Sequence, residues 1–420
     1  MNNVSYIHEV MNDVAIVLAP LKSRLKSERR FIDALLHIFS SVTDFRQQLK
    51  VIYKLENILC ICLLIAMRGK FTSFYHAGLF IKVRTDYFKN LGLIEGDKIP
   101  SHDTLRRIFL YIDADELRDC MLNRIRDMLD KITAAVQESG NKVRLLSGDG
   151  KTFNGSGRTD GTRNVNVFNV LDASGSLCLA SIPLEDKDSE IPTFKRLLKK
   201  YKLKNTMVTG DALHCQIDTM DIIHSRGGDF TFTVKDNQPG KKQHIIDVLK
   251  FNAAKCKLVS YNNCDYEIFV IDYELTEEDF PHAAAYVRMI SHKRAAQQDY
   301  NPTAQYFVTS SPNIRLIVEA IDSRWTIECC FHWWKDDFLK EDDCTFMDKN
   351  AIKVMATFNN IAFSLYRIAS AIFDDSCMAE TRLRFEECPE KMLAKLVPLL
   401  EKQNLTMLIK QNMRGRKKTT

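Results

Sequence analysis

Val143-Arg144-Leu145-Leu146-Ser147-Gly148-Asp149-Gly150-Lys151-Thr152 is where the chain changes its period. Upstream, apolar residues recur at three and four spacing in Val10–Leu21, Phe31–Phe39 and Leu55–Met67, which predicts helices. Ser101 is a good N-cap for a helix whose apolar stripe begins at Leu105, Ile108 and Phe109. A further helix is predicted over Leu117–Val136, closed by Gly140-Asn141. From Val143 onward the pattern becomes strand-like. Val143–Ser147, Val165–Leu171 and Leu177–Ile182 read as three successive strands separated by turns. A helix over Lys195–Tyr201, a strand over Thr206–Thr209, a helix over Thr219–Ser225 and a strand over Phe230–Val234 come next.

This order predicts an α/β fold of the ribonuclease H-like kind, a mixed sheet flanked by helices, although other α/β folds begin in the same way. Residues 240–315 interrupt it. Lys257–Tyr261, Glu267–Tyr273, Tyr286–Ser291 and Tyr306–Thr309 read as strands of a β-rich insertion or sheet extension. Arg324–Phe338 and Lys349–Ile372 return as helices. The expected division is a helical N-terminal domain at 1–138, the first part of the ribonuclease H-like core at 139–239 and the insertion at 240–315. The rest of the core occupies 316–376, then a helical end with a basic tail 377–420.

Composition narrows the class. The 420 residues are 45% hydrophobic and 27% charged, an ordinary globular balance. The net charge of +5 is too small to prove a nucleic-acid partner. Lys and Arg nevertheless crowd in Lys22–Arg30, Lys195–Lys204 and Arg414–Lys418, where they could neutralise phosphates or simply face solvent. The 12 cysteines form no CxxC pair, which argues against a zinc ribbon. No secretory leader is recognisable, and the most apolar run, Ile58–Met67, is too short for a bilayer. These features predict a cytoplasmic, non-membrane protein with reduced thiols.

Three acidic residues sit where metal-dependent phosphoryl transfer would need them. Asp149 comes after the Val143–Ser147 strand, between two glycines. Asp211 comes after the second apolar strand, in Gly210-Asp211-Ala212-Leu213-His214. Glu328 lies in the helix Arg324-Trp325-Thr326-Ile327-Glu328. In-line attack on a phosphodiester needs charge stabilised on both the entering and the leaving oxygen. Two divalent cations about 3.5–4 Å apart, held by carboxylates, do this. At about 100° per residue, Arg324, Glu328 and Lys335 fall within roughly 40° on one helix face. Trp325, Cys329, His332 and Trp333 then lie on a neighbouring face expected to pack into the core. A Glu between two cations is also the pattern of a surface ion-pair ladder.

The chain resembles insertion-sequence transposases of the H-repeat-associated type, within the wider group carrying a Tyr-Arg-Glu-Lys signature. Several stretches carry the likeness in order. They are Asp44-Phe45-Arg46, Ser101-His102-Asp103-Thr104-Leu105-Arg106-Arg107, Asp149-Gly150-Lys151-Thr152, Lys187-Asp188-Ser189-Glu190-Ile191-Pro192 and Asp211-Ala212-Leu213-His214-Cys215-Gln216. Val234-Lys235-Asp236-Asn237-Gln238, Trp325-Thr326-Ile327-Glu328, His332-Trp333 and Glu341-Asp342 complete the set. The resemblance implies a DDE transposase in which Asp149, Asp211 and Glu328 are catalytic and hold two Mg²⁺ ions, with Mn²⁺ as a substitute. It implies that Arg324 and Lys335 bind DNA phosphates. It also implies double-stranded DNA partners, terminal inverted repeats and target DNA, a homodimer in a synaptic complex, and a bacterial, nucleoid-associated location. Two departures stand out. Ile321 occupies the place of the signature's Tyr, and Cys264-Asp265-Tyr266-Glu267 replaces a His-Gly-Arg-Ile-Glu-like block. A nuclease that cuts without integrating, and a catalytically silent DNA-binding descendant, remain alternatives.

Overall fold

The computed structural model describes residues 28–121, 143–156, 164–172, 177–184, 189–271, 279–292, 303–373 and 378–400. The helix expected at Val10–Leu21, most of that at Leu117–Val136, Lys187-Asp188 and the basic tail lie outside the described residues. The described chain forms two compact units. One takes its residues from Met1–Gly140, Asn154–Arg163 and Lys335–Thr420, the other from Asn141–Phe153 and Asn164–Trp334.

In the first unit the helices α1 (28–39), α2 (Leu55–Ala66), α3 (Phe74–Val83), α4 (Thr85–Asn90), α5 (His102–Tyr111) and α6 (114–121) come first. The N-cap read from the sequence holds, since the Thr104 amide donates to Ser101 Oγ at 3.3 Å. Helix α2 is buried along almost its whole length, from Leu55 to Ala66. A helix apolar on all sides needs neighbours on all sides. α3 is one neighbour, and the long helix over Lys349–Phe373 is another.

The second unit is built on one nine-stranded sheet. Its strands are β1 (Arg144–Phe153), β2 (Val165–Asp172), β3 (Leu177–Pro183), β4 (Thr206–Gly210), β5 (Asp229–Val234), β6 (Lys257–Tyr261), β7 (Cys264–Val270), β8 (Ala285–Ser291) and β9 (Ala304–Thr309). Their spatial order is β3-β2-β1-β4-β5-β9-β8-β7-β6. β1, β4 and β5 run parallel, and all other pairings are antiparallel. Helices α7 (Glu190–Lys200), α8 (Ile217–Ser225) and α9 (Pro239–Phe251) pack on strands of this sheet, as does α10 (Ile314–Thr326).

Ser147, Thr209, Thr231 and Thr309 are register partners across β1, β4, β5 and β9. All four are at most 1% exposed. Ser147 and Thr209 hydroxyls lie 2.6 Å apart, and Thr231 Oγ1 donates to Thr309 Oγ1 at 2.9 Å. Buried hydroxyls that satisfy one another cost little, and the row ties the parallel centre to β9. The strands beyond residue 256 extend this same sheet, because β9 pairs with β5. Tyr266, Val287, Met289 and Phe307 from these strands meet Ile317 and Ile321 of α10 in one apolar cluster. Ile321 is fully buried there, so the residue replacing the signature's Tyr serves packing.

After α10 the helix widens into a π-type turn over Ile327–His332 and resumes as α11 (Trp333–Asp337). The chain then returns to the first unit through α12 (Lys349–Phe373), α13 (Met378–Glu387) and α14 (Pro389–Leu400). Helix α12 packs on α2, α5, α13 and α14. Tyr366 donates to the Met67 carbonyl at 2.9 Å, and Asn350 Nδ2 donates to the Phe109 and Ile112 carbonyls that end α5. At Gly69 (φ +59°) a Cβ would lie 2.0 Å from the Phe338 carbonyl oxygen, so only glycine fits. This grouping differs from the five-part division expected from the sequence, because α12 finds its apolar partners among the N-terminal helices.

Candidate active site

β1 does not stop at Ser147. It continues to Phe153, because pairing with β2 runs from Leu146–Asp172 through Asp149–Asn169 to Phe153–Val165. Asp149 is therefore inside a strand and not after it. The glycines on either side are spacing devices on the opposite face. A Cβ on Gly148 would come within 2.8 Å of Phe194 and 2.9 Å of Phe168, and one on Gly150 within 2.6 Å of the Glu190 carboxylate. Their lack of a side chain lets α7 press on the strand while Asp149 points to the other side.

The parallel β1–β4 register pairs Ser147 with Thr209. Continued by two residues, it brings Asp211 level with Asp149, although 62 residues separate them in sequence. Asp211 stands in the turn after β4, where its Oδ1 accepts from the Leu213 amide at 2.9 Å. Glu328 lies in the wide turn after α10. Arg324 Nη1 donates to its Oε1 at 3.2 Å, and the guanidinium also rests over the Trp325 ring at 4.3 Å.

The electrostatics show that these carboxylates sense one another. Burial pushes the Asp149 carboxyl up, and the charges of Glu328, Asp211 and Glu190 push it further, to about 7, against a smaller opposing pull from Arg324. Asp149 is the most enclosed of the three, with its side chain 23% exposed against 35% for Asp211 and 39% for Glu328.

Among the described residues no group of three or more His, Cys, Asp or Glu side chains is gathered so that it could hold a metal ion. The donor chemistry nevertheless fits a hard divalent cation. All three groups offer carboxylate oxygens, and their unrelieved repulsion on Asp149 is what a cation would offset.

Four polar side chains with no role assigned from the sequence belong to this region. His332 Nδ1 lies 3.5 Å from Asp149 Oδ2. Its Nε2 lies 3.2 Å from Asn169 Nδ2. Glu190 Oε1 contacts His214 Nε2 at 3.1 Å, and His214 is buried between the Phe168 and Phe194 rings. Asn169 was detectable in principle, as an amide inside the apolar run Val167-Phe168-Asn169-Val170-Leu171. A buried amide needs a partner.

Lys335 requires a correction. Expected on an exposed face beside Glu328, it is instead buried and paired with the buried Glu341 at 2.9 Å. Glu341 also accepts from Asn359 of α12 at 3.1 Å. The projection at 100° per residue assumed an unbroken α-helix, and the π-type turn shifts the phase of every later residue. For the same reason Trp334 is buried and Trp333 is 59% exposed, the reverse of the expected packing face.

A family model described as "Transposase DDE domain" matches residues 129–365, more than half of the chain. The chain belongs to the DDE-domain transposases. A second model, described as "DDE_Tnp_1-associated", matches residues 36–124 of this transposase. Among its relatives, the H repeat-associated putative transposase YhhI of Escherichia coli (strain K12) is 24% identical over 351 residues, 79% of this chain and 89% of that one. Putative protein YbfL of the same strain is 25% identical over the same length and shares. Putative transposase YncI of Escherichia coli O157:H7 is 23% identical over 358 residues, 80% of this chain and 88% of its own. Among solved structures, a piggyBac transposase synaptic complex with hairpin DNA aligns over 93% of this chain and 81% of that one. The TM-score is 0.38 and the identity 10%. No helix among the described residues is long and apolar enough to cross a membrane.

Proposed function

We propose that this transposase nicks double-stranded DNA at insertion-sequence ends and joins the freed strand to target DNA, with Asp149, Asp211 and Glu328 as its catalytic carboxylates. What supports the reading is that the charges of Glu328, on the wide turn, and of Asp211, in the turn after β4, both act on Asp149 of β1. The strand order β3-β2-β1-β4-β5, with β2 antiparallel to β1 and with β4 and β5 parallel to it, supports a ribonuclease H-like core.

Asp149, Asp211 and Glu328 would hold the divalent cations, two Mg²⁺ or Mn²⁺ ions, which supply charge stabilisation at the entering and leaving oxygens. The protein's own groups set the geometry. The hydroxyl row holds the middle of β1 against the end of β4. The Leu213 amide fixes the Asp211 carboxylate. Arg324 orients Glu328 and provides positive charge for an incoming phosphate. Lys335 has no part in phosphate binding. The first unit's helices and the basic tail bind the terminal inverted repeats, and two copies pair so that both ends are processed together.

The test incubates purified protein and Mg²⁺ with labelled duplexes carrying the inverted repeats that flank the gene. Nicking and strand transfer are scored separately. Both products are expected. Nicking without transfer would make the chain a nuclease, and neither product would make it a silent DNA-binding protein.

A further inference from the structure

We propose that His332 is the positioning residue for Asp149, turned by Asn169 and Ser181 so that Nε2 accepts from the amide and Nδ1–H faces the carboxylate. Its relevance to cation binding rests on the proposed function. The hydrogen-bond chain itself does not.

Ser181 on β3, Asn169 on β2 and Asp149 on β1 are successive register partners. Directly opposed residues share a face of the sheet, so the three side chains form a row across three strands. Asn169 is 1% exposed, Ser181 3% and His332 9%. The Ser181 hydroxyl donates to Asn169 Oδ1. That turns the amide nitrogen towards His332 Nε2, 3.2 Å away.

An amide NH₂ can only donate, so Nε2 accepts. A neutral imidazole that accepts at Nε2 carries its hydrogen on Nδ1. Nδ1 is the atom that faces Asp149 Oδ2 at 3.5 Å. The opposite amide orientation would place Oδ1 against Nε2 and demand a hydrogen there. Nδ1 would then either set a lone pair against the carboxylate or make the ring an imidazolium. Only the first arrangement satisfies all three contacts with a neutral ring.

The consequence is a carboxylate steered from its own sheet face. His332 ends the same wide turn that contains Glu328. One irregular turn therefore supplies one acid and orients another. Ligand carboxylates are commonly fixed by such outer contacts, whose loss costs about 10–100-fold in metal affinity.

The test uses the full chain. In ¹⁵N-histidine-labelled protein in EDTA at pH 8, long-range ¹H–¹⁵N spectra should show His332 as the Nδ1–H tautomer, assigned by its loss in His332→Asn. Asp149→Asn should move that Nδ1 signal. An Nε2–H tautomer, an imidazolium, or a signal indifferent to Asp149→Asn overturns the proposal. Mn²⁺ titration followed by electron paramagnetic resonance forms the second arm. His332→Phe should weaken Mn²⁺ binding at least about tenfold. His332→Asn, which keeps a donor on the Asp149 side, should recover most of the loss. If His332→Phe binds Mn²⁺ like the unaltered chain while Asp149→Asn does not, the positioning role is refuted. If Asp149→Asn itself binds normally, the cation reading fails instead, and the tautomer and Asp149→Asn spectra alone decide the proposal.

Discussion

At Gly148 a single hydrogen stands where any other residue would place a methyl group against two aromatic rings. Gly148→Ala would force Phe168 and Phe194 apart from a Cβ 2.8–2.9 Å away. Overpacking of this kind costs about 1–3 kcal/mol, and urea denaturation should show that loss. At Gly150 the obstacle is the far end of Glu190, which can swing aside, so Gly150→Ala should cost less. Equal costs would mean that α7 is not pressed against β1. Asp44 gives a residue-scale test in pH. Arg46 donates to both of its carboxylate oxygens, at 2.8 and 2.7 Å, and that hydrogen bond holds its carboxyl below the usual value of 3.8. A depressed folded pKa stabilises above the unfolded pKa, and the gain vanishes as pH falls through the folded value. Asp44→Asn should therefore destabilise at pH 6 by about 1 kcal/mol, the upper end for a surface pair, since this one is only partly exposed. The two proteins should converge in stability as the pH falls through the lowered Asp44 value.

The wide turn at Ile327–His332 decides what the helix around it does. It buries Trp334 and leaves Trp333 in solvent. Trp334→Ala should cost about 3–5 kcal/mol in denaturant unfolding, while Trp333→Ala should cost little. An uninterrupted α-helix would give the reverse. Lys335→Ala should leave the buried Glu341 charge uncompensated, a loss of about 3–5 kcal/mol, yet leave the salt slope of DNA binding unchanged. A slope lower by about one unit would return Lys335 to the phosphates. These elements mark what the sequence could and could not disclose. Apolar runs separated by turns located all nine described strands, and Ser101 announced α5. The sequence ends the first strand at Ser147, because nothing local tells a glycine that makes room inside a strand from one that ends it. α9 is missing from the sequence reading because residues 240–315 read as a β-rich insertion, although Pro239 at a first turn also opens a helix. The π-type turn has no signature in the spacing of apolar residues. The pairing of Asn169 with Asp149 is a register, fixed only when three strands assemble.

Across the whole molecule, DNA binding and catalysis draw on different charges, and one substitution should separate them. Asp149 on β1 and Asp211 in the turn after β4 are 62 residues apart, and Glu328 in the wide turn comes 117 residues further on. The proposed site therefore gathers negative charge where the proposed polyanionic substrate would approach. DNA affinity depends on cations distributed over the surface, each phosphate contact adding to the salt slope. Asp211→Asn keeps the shape of the side chain and can still accept from the Leu213 amide, which donates to Oδ1 at 2.9 Å. What it loses is one of the charges that raise the Asp149 carboxyl and that a divalent cation would require. Nicking and strand transfer should fall below detection in Mg²⁺. End binding, measured as isotherms at several salt concentrations, should be unchanged or slightly tighter, since one repulsion against phosphate has gone. The slope against salt should stay the same, because no cation has been removed. Normal cutting by Asp211→Asn would show that this carboxylate holds no cation. Loss of binding together with cutting would show that the Asp211 turn supports the DNA surface itself.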